Sequence, residues 1–216
     1  MAEVNLLKSL PKPKRNISNR NNLKTEHHIK ISRQYGKEYF DGDRSYGYGG
    51  YKYDGRWIPV AKDIANHYQL KKESKILDIG CAKGFLVKDL LDLGFDAYGI
   101  DISEYAIENS PQDIKERLIV GNAIKLPYED NSFDLVISLN TIHNLDMNDC
   151  KIAVKEIQRV SKSYSFIQVD SYTNEDEKKI FEDWVLTAKY YGYPSEWLEL
   201  FKQSGYTGDW YWTVIK

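Results

Sequence analysis

Cysteine is scarce in this sequence: Cys81 and Cys150 are the only two among 216 residues. They offer neither a disulfide framework nor metal-ligand spacing, so no metal site is expected and a reducing compartment is the default. Long apolar runs are missing as well. Nothing approaches the roughly 20 residues that span a bilayer, and the first residues lack the apolar core of a signal peptide. The expectation is a cytoplasmic protein with no membrane span. Charge of one sign is also lacking, since 30 Lys and Arg face 32 Asp and Glu for a net −2. That balance argues against wholesale nucleic-acid binding, and none is expected. There are no internal repeats and no long low-complexity tract. What the chain has in quantity is aromatic residues, with 17 Tyr and 5 Trp, several of them clustered.

Residues 1–37 are polar and basic, with the run Pro11-Lys12-Pro13-Lys14-Arg15. Neither helical nor strand periodicity is sustained there, so the segment reads as an extended or partly ordered arm. A Tyr/Gly-rich stretch follows, in which repeated glycine excludes a regular element. Together these make an N-terminal arm and capping segment over 1–56, ahead of an α/β domain over 57–216. A helix opens near Trp57-Ile58-Pro59. From Ser74 onward, apolar runs of four to six residues alternate with helical stretches: 75–80, 96–101, 118–121, 133–139 and 165–169 read as strands. Such runs describe parallel strands buried on both faces, hence a Rossmann-like doubly wound sheet. Residues 171–204 read as a helical lid inserted before the last strand, with helices over 175–191 and 195–203. The run 210–215 alternates like an antiparallel C-terminal edge strand.

In an open α/β sheet, ligands bind at the carboxyl ends of the strands where strand order reverses. The first strand ends in Asp78-Ile79-Gly80-Cys81-Ala82-Lys83-Gly84. Gly80 and Gly84 permit a tight turn and close backbone approach. The G-x-G-x-x-G of a pyrophosphate cradle is absent, which disfavours a nicotinamide-dependent oxidoreductase. Glycines four apart beside a strand-end acid suit a ligand bearing an amino-acid moiety instead. About 20 residues on, Asp101 ends the second strand, where a carboxylate can accept both hydroxyls of a ribose. Gly121-Asn122-Ala123 ends the third, where a side-chain acceptor and a backbone N–H can read an adenine edge.

These motifs resemble those of the class I S-adenosylmethionine-dependent methyltransferases. Residues 75–84 resemble motif I, Gly99-Ile100-Asp101 the acidic motif after it, and 121–134 the family's "GDA…LPF.D.SFD" stretch. The likeness covers about Ser74 to Val169, with all three motifs in the family's order and spacing. It implies S-adenosyl-L-methionine as cofactor, with Asp78, Gly80, Cys81, Ala82 and Gly84 around the methionine part. Asp101 and Ile102 then hold the ribose and flank the adenine, Asn122 and Ala123 read the adenine edge, and Leu139 completes the pocket. Asn122 departs from the family's usual Asp but keeps a carbonyl acceptor.

On the acceptor side, the Asn-Pro-Pro-aromatic motif of adenine- and glutamine-modifying relatives is lacking. His143 follows the fourth strand, where it is the candidate general base for a hydroxyl acceptor; a loop histidine bonded to backbone is the other reading. His27 and His28 in the arm are weaker candidates. Tyr48, Tyr51, Tyr53 and Trp57 are expected to close over the cofactor and stack on an acceptor ring, or else to plug the sheet edge. Arg56 is the expected partner of a carboxylate or phosphate, and Asn140 and Tyr190 complete the candidate acceptor-binding set. The stretch 39–57 also resembles small bacterial methyltransferases of surface-polysaccharide clusters. That resemblance implies O-methylation of a small or saccharide-type acceptor. N-methylation of an amino sugar or other small amine stays open, as do an inactive methyltransferase-like binding module and a homodimer.

Overall fold

The computed structural model describes residues 2–11 and 17–215; most of the basic run, Lys12 to Arg15, lies outside them. Six strands form one sheet: β1 (Lys75–Ile79), β2 (Asp96–Asp101), β3 (Leu118–Val120), β4 (Phe133–Leu139), β5 (Ser161–Ser171) and β6 (Asp209–Val214). Their order is β3-β2-β1-β4-β5-β6, and every pairing is parallel. Order reverses between β1 and β4, which fixes the ligand crevice at their carboxyl ends.

Helices cover both faces, as the unbroken apolar strands require. On one face, α4 (Ile58–His67) and α5 (Phe85–Asp92) bury Val60, Ile64, Leu86 and Leu90 against Ile76, Leu135 and Phe166. On the other, α7 (Met147–Val160) and α9 (Pro194–Gln203) bury Val154, Ile157, Trp197 and Phe201 against Leu77, Val136 and Ile167. Helix α4 opens with proline in its first turn, where the missing N–H costs nothing. Helix α6 (Glu104–Glu108) is capped by Ser103, whose side chain accepts from the Ala106 N–H.

Three expectations are corrected. The edge strand β6 runs parallel to β5, not antiparallel, with Phe166 opposite Asp209 and Ser171 opposite Val214. The reason is the connection: α8 (Glu175–Trp184) and α9 form a crossover long enough to carry the chain back to the amino-terminal end of the sheet beside β5, whereas antiparallel neighbours need only a hairpin. The same observation removes the lid. Trp197 and Phe201 of α9 are fully buried, so this helix is a core layer, and α8 packs against α1 (Ile17–Leu23). The helix expected over 175–191 stops at Trp184, because the amides of Lys189 and Tyr190 donate to the His143 carbonyl at 2.9 and 3.2 Å instead.

The arm is also more regular than expected. It contains α1, α2 (Glu26–Ser32) and α3 (Lys37–Asp41), each shorter than the window over which a helical period shows. Near its start, Val4 N–H donates to the Trp210 carbonyl at 2.8 Å.

Candidate active site

A cavity of about 330 Å³ lies at the switch point, at the small end of the ligand-pocket range. Its floor is the set of strand ends: Ile79, Gly80 and Ala82 after β1, Asp101 and Ile102 after β2, Gly121 to Ala123 after β3, and Leu139 to Thr141 after β4. Its roof is the N-terminal segment, through Arg33, Gln34, Tyr35, Tyr39, Phe40 and Tyr48.

Asp101 is the best-defined group. One carboxylate oxygen accepts from the Ala82 N–H at 2.7 Å and the other from the Ser103 N–H at 2.8 Å. Burial raises its pKa, and those amides act in the opposite direction. Each oxygen keeps a lone pair after its amide bond, which is what a diol needs. Asp78 is buried behind it without a hydrogen bond to any described residue; desolvation, then the Asp101 charge, push it up to about 7. Burial likewise raises the Cys81 thiol, so it is no nucleophile.

The turn after β1 needs its glycines for packing more than for ligand approach. Gly80 has φ +78°, and a Cβ there would stand 2.0 Å from Thr141 Oγ1; at Gly84 (φ +75°) it would meet Leu118 at 2.6 Å. Ala82 takes a left-handed φ of 52°, which costs an L-residue about 1–2 kcal/mol and aims its N–H at Asp101. Asn122 Oδ1 accepts from the Ile124 N–H at 3.2 Å, closing its own turn while retaining a lone pair. Ile102 is 54% exposed beside the cavity, an apolar face suited to a ring.

The structure brings Gly80, Ala82, Asp101, Ile102, Asn122, Ala123, Leu139, Tyr48 and Asn140 together around the cavity. Asp78, Cys81 and Gly84 stand behind it. The other acceptor-side candidates lie elsewhere. Tyr51 stacks on Phe85 at 4.8 Å, Tyr53 donates to Asp89 at 2.5 Å, and Trp57 packs into the core. Arg56 pairs with Asp54 in solvent at 2.6 Å, and Tyr190 packs on Trp197 at 4.8 Å. These are the contacts of an aromatic plug, the other reading of that segment. His27 and His28 pack about Tyr46.

His143 does not line the cavity either. Its ring is 4% exposed, Nδ1 accepts from the Asp170 N–H at 3.2 Å, and burial lowers its pKa to about 4. The placement matches the loop histidine bonded to backbone, and corrects the general-base expectation. A neutral buried histidine must charge on unfolding, so its stabilising contribution is full above 6.5 and is lost as pH falls toward 4. The amount is about 3 kcal/mol. His143→Ala is therefore expected to lower stability near pH 7 and to flatten the acid limb of the stability–pH curve, read by denaturant melts from pH 4 to 8. An unchanged acid limb would show that His143 titrates freely.

Sequence reasoning missed the roof. Arg33, Gln34, Tyr35, Tyr39 and Phe40 form it, hinted at only by the clustering of aromatics, and Thr141, Asn144, Leu145 and Lys189 line the cavity beside it. The roof is tied down by groups that touch no ligand. Ser103 Oγ donates to the Tyr35 carbonyl at 2.5 Å, and Lys83 Nζ stands 2.6 Å from Asp41, which also accepts from Tyr105 at 2.8 Å. Against desolvation, these bonds hold the Asp41 carboxyl below its usual range. Lys83 is 6% exposed, so removing one partner leaves a largely buried charge alone. Lys83→Ala is expected to weaken cofactor binding about tenfold by loosening the roof. Lys83→Arg should restore much of the loss in calorimetry; equal affinity in wild type and Lys83→Ala would sever roof from cofactor.

Comparison with known proteins agrees with this geometry. Residues 77–167 match the "Methyltransferase domain" family. Demethylmenaquinone methyltransferase of Geobacillus stearothermophilus is 32% identical over 116 residues, 50% of this chain and 49% of its own. Sterol 4-C-methyltransferase of Caenorhabditis elegans is 29% identical over 175 residues, 71% of this chain and 50% of its own. The chain thus spans about half the length of these two relatives. A SAM-dependent methyltransferase from Methanosarcina mazei shares the fold, with TM-score 0.53 and 22% identity over 65% of this chain and 82% of its own.

The fold and the strand-end site are those of a Rossmann-like α/β domain with a ligand crevice at the switch point. Residues 77–167 are similar to the methyltransferase domain family, and the sheet shares the fold of a solved S-adenosylmethionine-dependent methyltransferase. The donor set fits S-adenosyl-L-methionine: a paired acceptor at Asp101, an apolar wall at Ile102, and a turn at Asn122 suited to an adenine edge. Among the described residues no helix is long and apolar enough to cross a membrane.

Proposed function

We propose that the protein transfers a methyl group from S-adenosyl-L-methionine to a small polar acceptor, most readily a hydroxyl oxygen of a saccharide-type molecule. The observation that carries the reading is the Asp101 carboxylate at the end of β2, held by two amides with lone pairs to spare. Bound cofactor supplies an electrophilic methyl on a sulfonium. Such transfer needs mainly in-line positioning and exclusion of water, and the roof from Arg33 to Tyr48 supplies a closed wall for it. Tyr48 offers a ring face for a sugar, and Asn140, held by Gln168 at 3.0 Å, offers amide hydrogens to a hydroxyl. With His143 outside the cavity and neutral, no side-chain base is assigned. His143 instead supports the loop whose carbonyl anchors Lys189 and Tyr190.

The relatives named for sterol and demethylmenaquinone methylation favour a second reading, an apolar ring-bearing acceptor. The two differ in what the mouth must tolerate: polar and cationic groups there favour the polar acceptor.

Calorimetry with S-adenosylmethionine and, separately, NADH tests the class. Selective binding of S-adenosylmethionine in the micromolar range, on the order of −8 kcal/mol, is the expected result. Binding of NADH alone would overturn it.

A further inference from the structure

The cavity mouth carries two cations, Arg33 and Lys189, for which the described residues supply no ion pair. Arg33, at the end of α2, donates from Nη2 to the Ala188 carbonyl at 3.0 Å. The next residue, Lys189, lines the same cavity and is fixed through its own amide to His143 at 2.9 Å. The guanidinium is therefore anchored one residue from the lysine, and both belong to one wall. Among the described residues neither forms an ion pair, and Asp170, at the nearby end of β5, has partners of its own. An anion in a cavity lined by two cations is attracted by both of them. Arginine anchored by one arm retains further donors in fixed geometry, the arrangement that suits carboxylate or phosphate.

A separate observation points into the same corner. Asn144 donates from Nδ2 to the Asn140 carbonyl at 3.2 Å, which fixes its amide. Among the described residues its Oδ1 is buried and receives no hydrogen bond, in a residue that lines the cavity. A buried acceptor left unmade costs free energy, and a ligand hydroxyl or amine relieves it.

We propose that Arg33 and Lys189 form an anion subsite for the methyl acceptor, which carries a carboxylate or phosphate beside the hydroxyl or amine that Asn144 receives. Hydroxy acids, amino acids and sugar phosphates are of this class. The anionic role expected of Arg56 thus falls to residues at the cavity itself. This assignment rests on the methyltransferase reading above and narrows its acceptor.

The test uses the full chain loaded with S-adenosylhomocysteine, with inorganic phosphate as the probe, in calorimetry at low ionic strength. Wild type is expected to bind phosphate in the millimolar range, and the Arg33→Ala/Lys189→Ala double variant about tenfold or more weakly. Both side chains are exposed, so the variant should fold, which circular dichroism checks. In Lys189→Ala alone, which leaves the Arg33–Ala188 tie of the roof intact, affinity for S-adenosylhomocysteine itself should change by less than about twofold. Phosphate binding that is absent from wild type, or equal in the variant, overturns the subsite. A loss of S-adenosylhomocysteine affinity of about tenfold in Lys189→Ala also overturns it, because the lysine would then hold the cofactor's own carboxylate. Failure of wild type to bind S-adenosylhomocysteine at all would instead strike the methyltransferase reading.

Discussion

Asp101→Ala is expected to weaken S-adenosylmethionine binding by about 100- to 1000-fold, as two hydrogen bonds to a charged acceptor are lost at about 1.5–3 kcal/mol each. Ile102 offers only an apolar contact, and Asn122 has its carbonyl turned to the Ile124 N–H, so neither replaces a paired ribose acceptor. The variant has a second consequence. Ala82 and Ser103 N–H both donate to this carboxylate, so its removal frees a left-handed residue of the β1 turn and the cap region of α6. Asp101→Asn separates the effects: it keeps one acceptor oxygen and most of the shape, and should lose about tenfold. Calorimetry on all three proteins, with circular dichroism to confirm folding, reads the order wild type, Asn, Ala. Equal affinities would remove Asp101 from the cofactor site.

The strand-end half of the site was legible because its constraints are local. A parallel strand buried on both faces writes a continuous apolar run, and the residue ending it is necessarily at the sheet's carboxyl edge. The places of Asp101, Asn122 and Ala123 follow from that alone, and those of Ile102 and Leu139 from the family resemblance. The roof was not legible for the opposite reason. Arg33, Tyr35 and Tyr39 belong to helices of seven and five residues and their joints, too short to print a period, and their places are set by distant partners such as Ser103 and Lys83. The Tyr/Gly stretch misled in a physical way: its aromatic rings stack on Phe85 and on one another, so most of what resembled a binding surface is packing. His143 misled similarly, since loop position cannot reveal burial. The direction of β6 depended on whether 172–208 returns the chain to the amino-terminal end of the sheet. Trp197 and Phe201 decide this by sinking into the core, a fact of packing rather than pattern.

Asp78→Asn is expected to make the ligand-free protein more stable at pH 8 and a poorer cofactor binder, two effects of opposite sign from one carboxyl. Burial and the Asp101 charge raise its pKa to about 7, against 3.8 for the unperturbed group. The protonated form is thus favoured in the folded state. The stabilisation it gives is complete below pH 3.8 and is lost as pH rises through 7, about 4 kcal/mol in all for so buried a group. Asparagine removes the charge but adds an amide with unmet hydrogen bonds, so the net gain at pH 8 should be about 2 kcal/mol, shrinking to nothing or less at pH 4. His143 works in the other direction between 6.5 and 4, so only the difference between variant and wild type isolates Asp78. A carboxylate kept at this cost is consistent with a cationic ligand, and the resemblance to motif I puts the methionine ammonium nearby. Loss of its counter-charge should weaken cofactor binding by about tenfold or more at pH 8, with less difference at pH 6, where wild-type Asp78 is itself mostly protonated. Thermal melts and calorimetry at both pH values read the pattern. If Asp78→Asn proves less stable than wild type at pH 8, the carboxylate is satisfied in the fold and the trade between stability and binding does not exist.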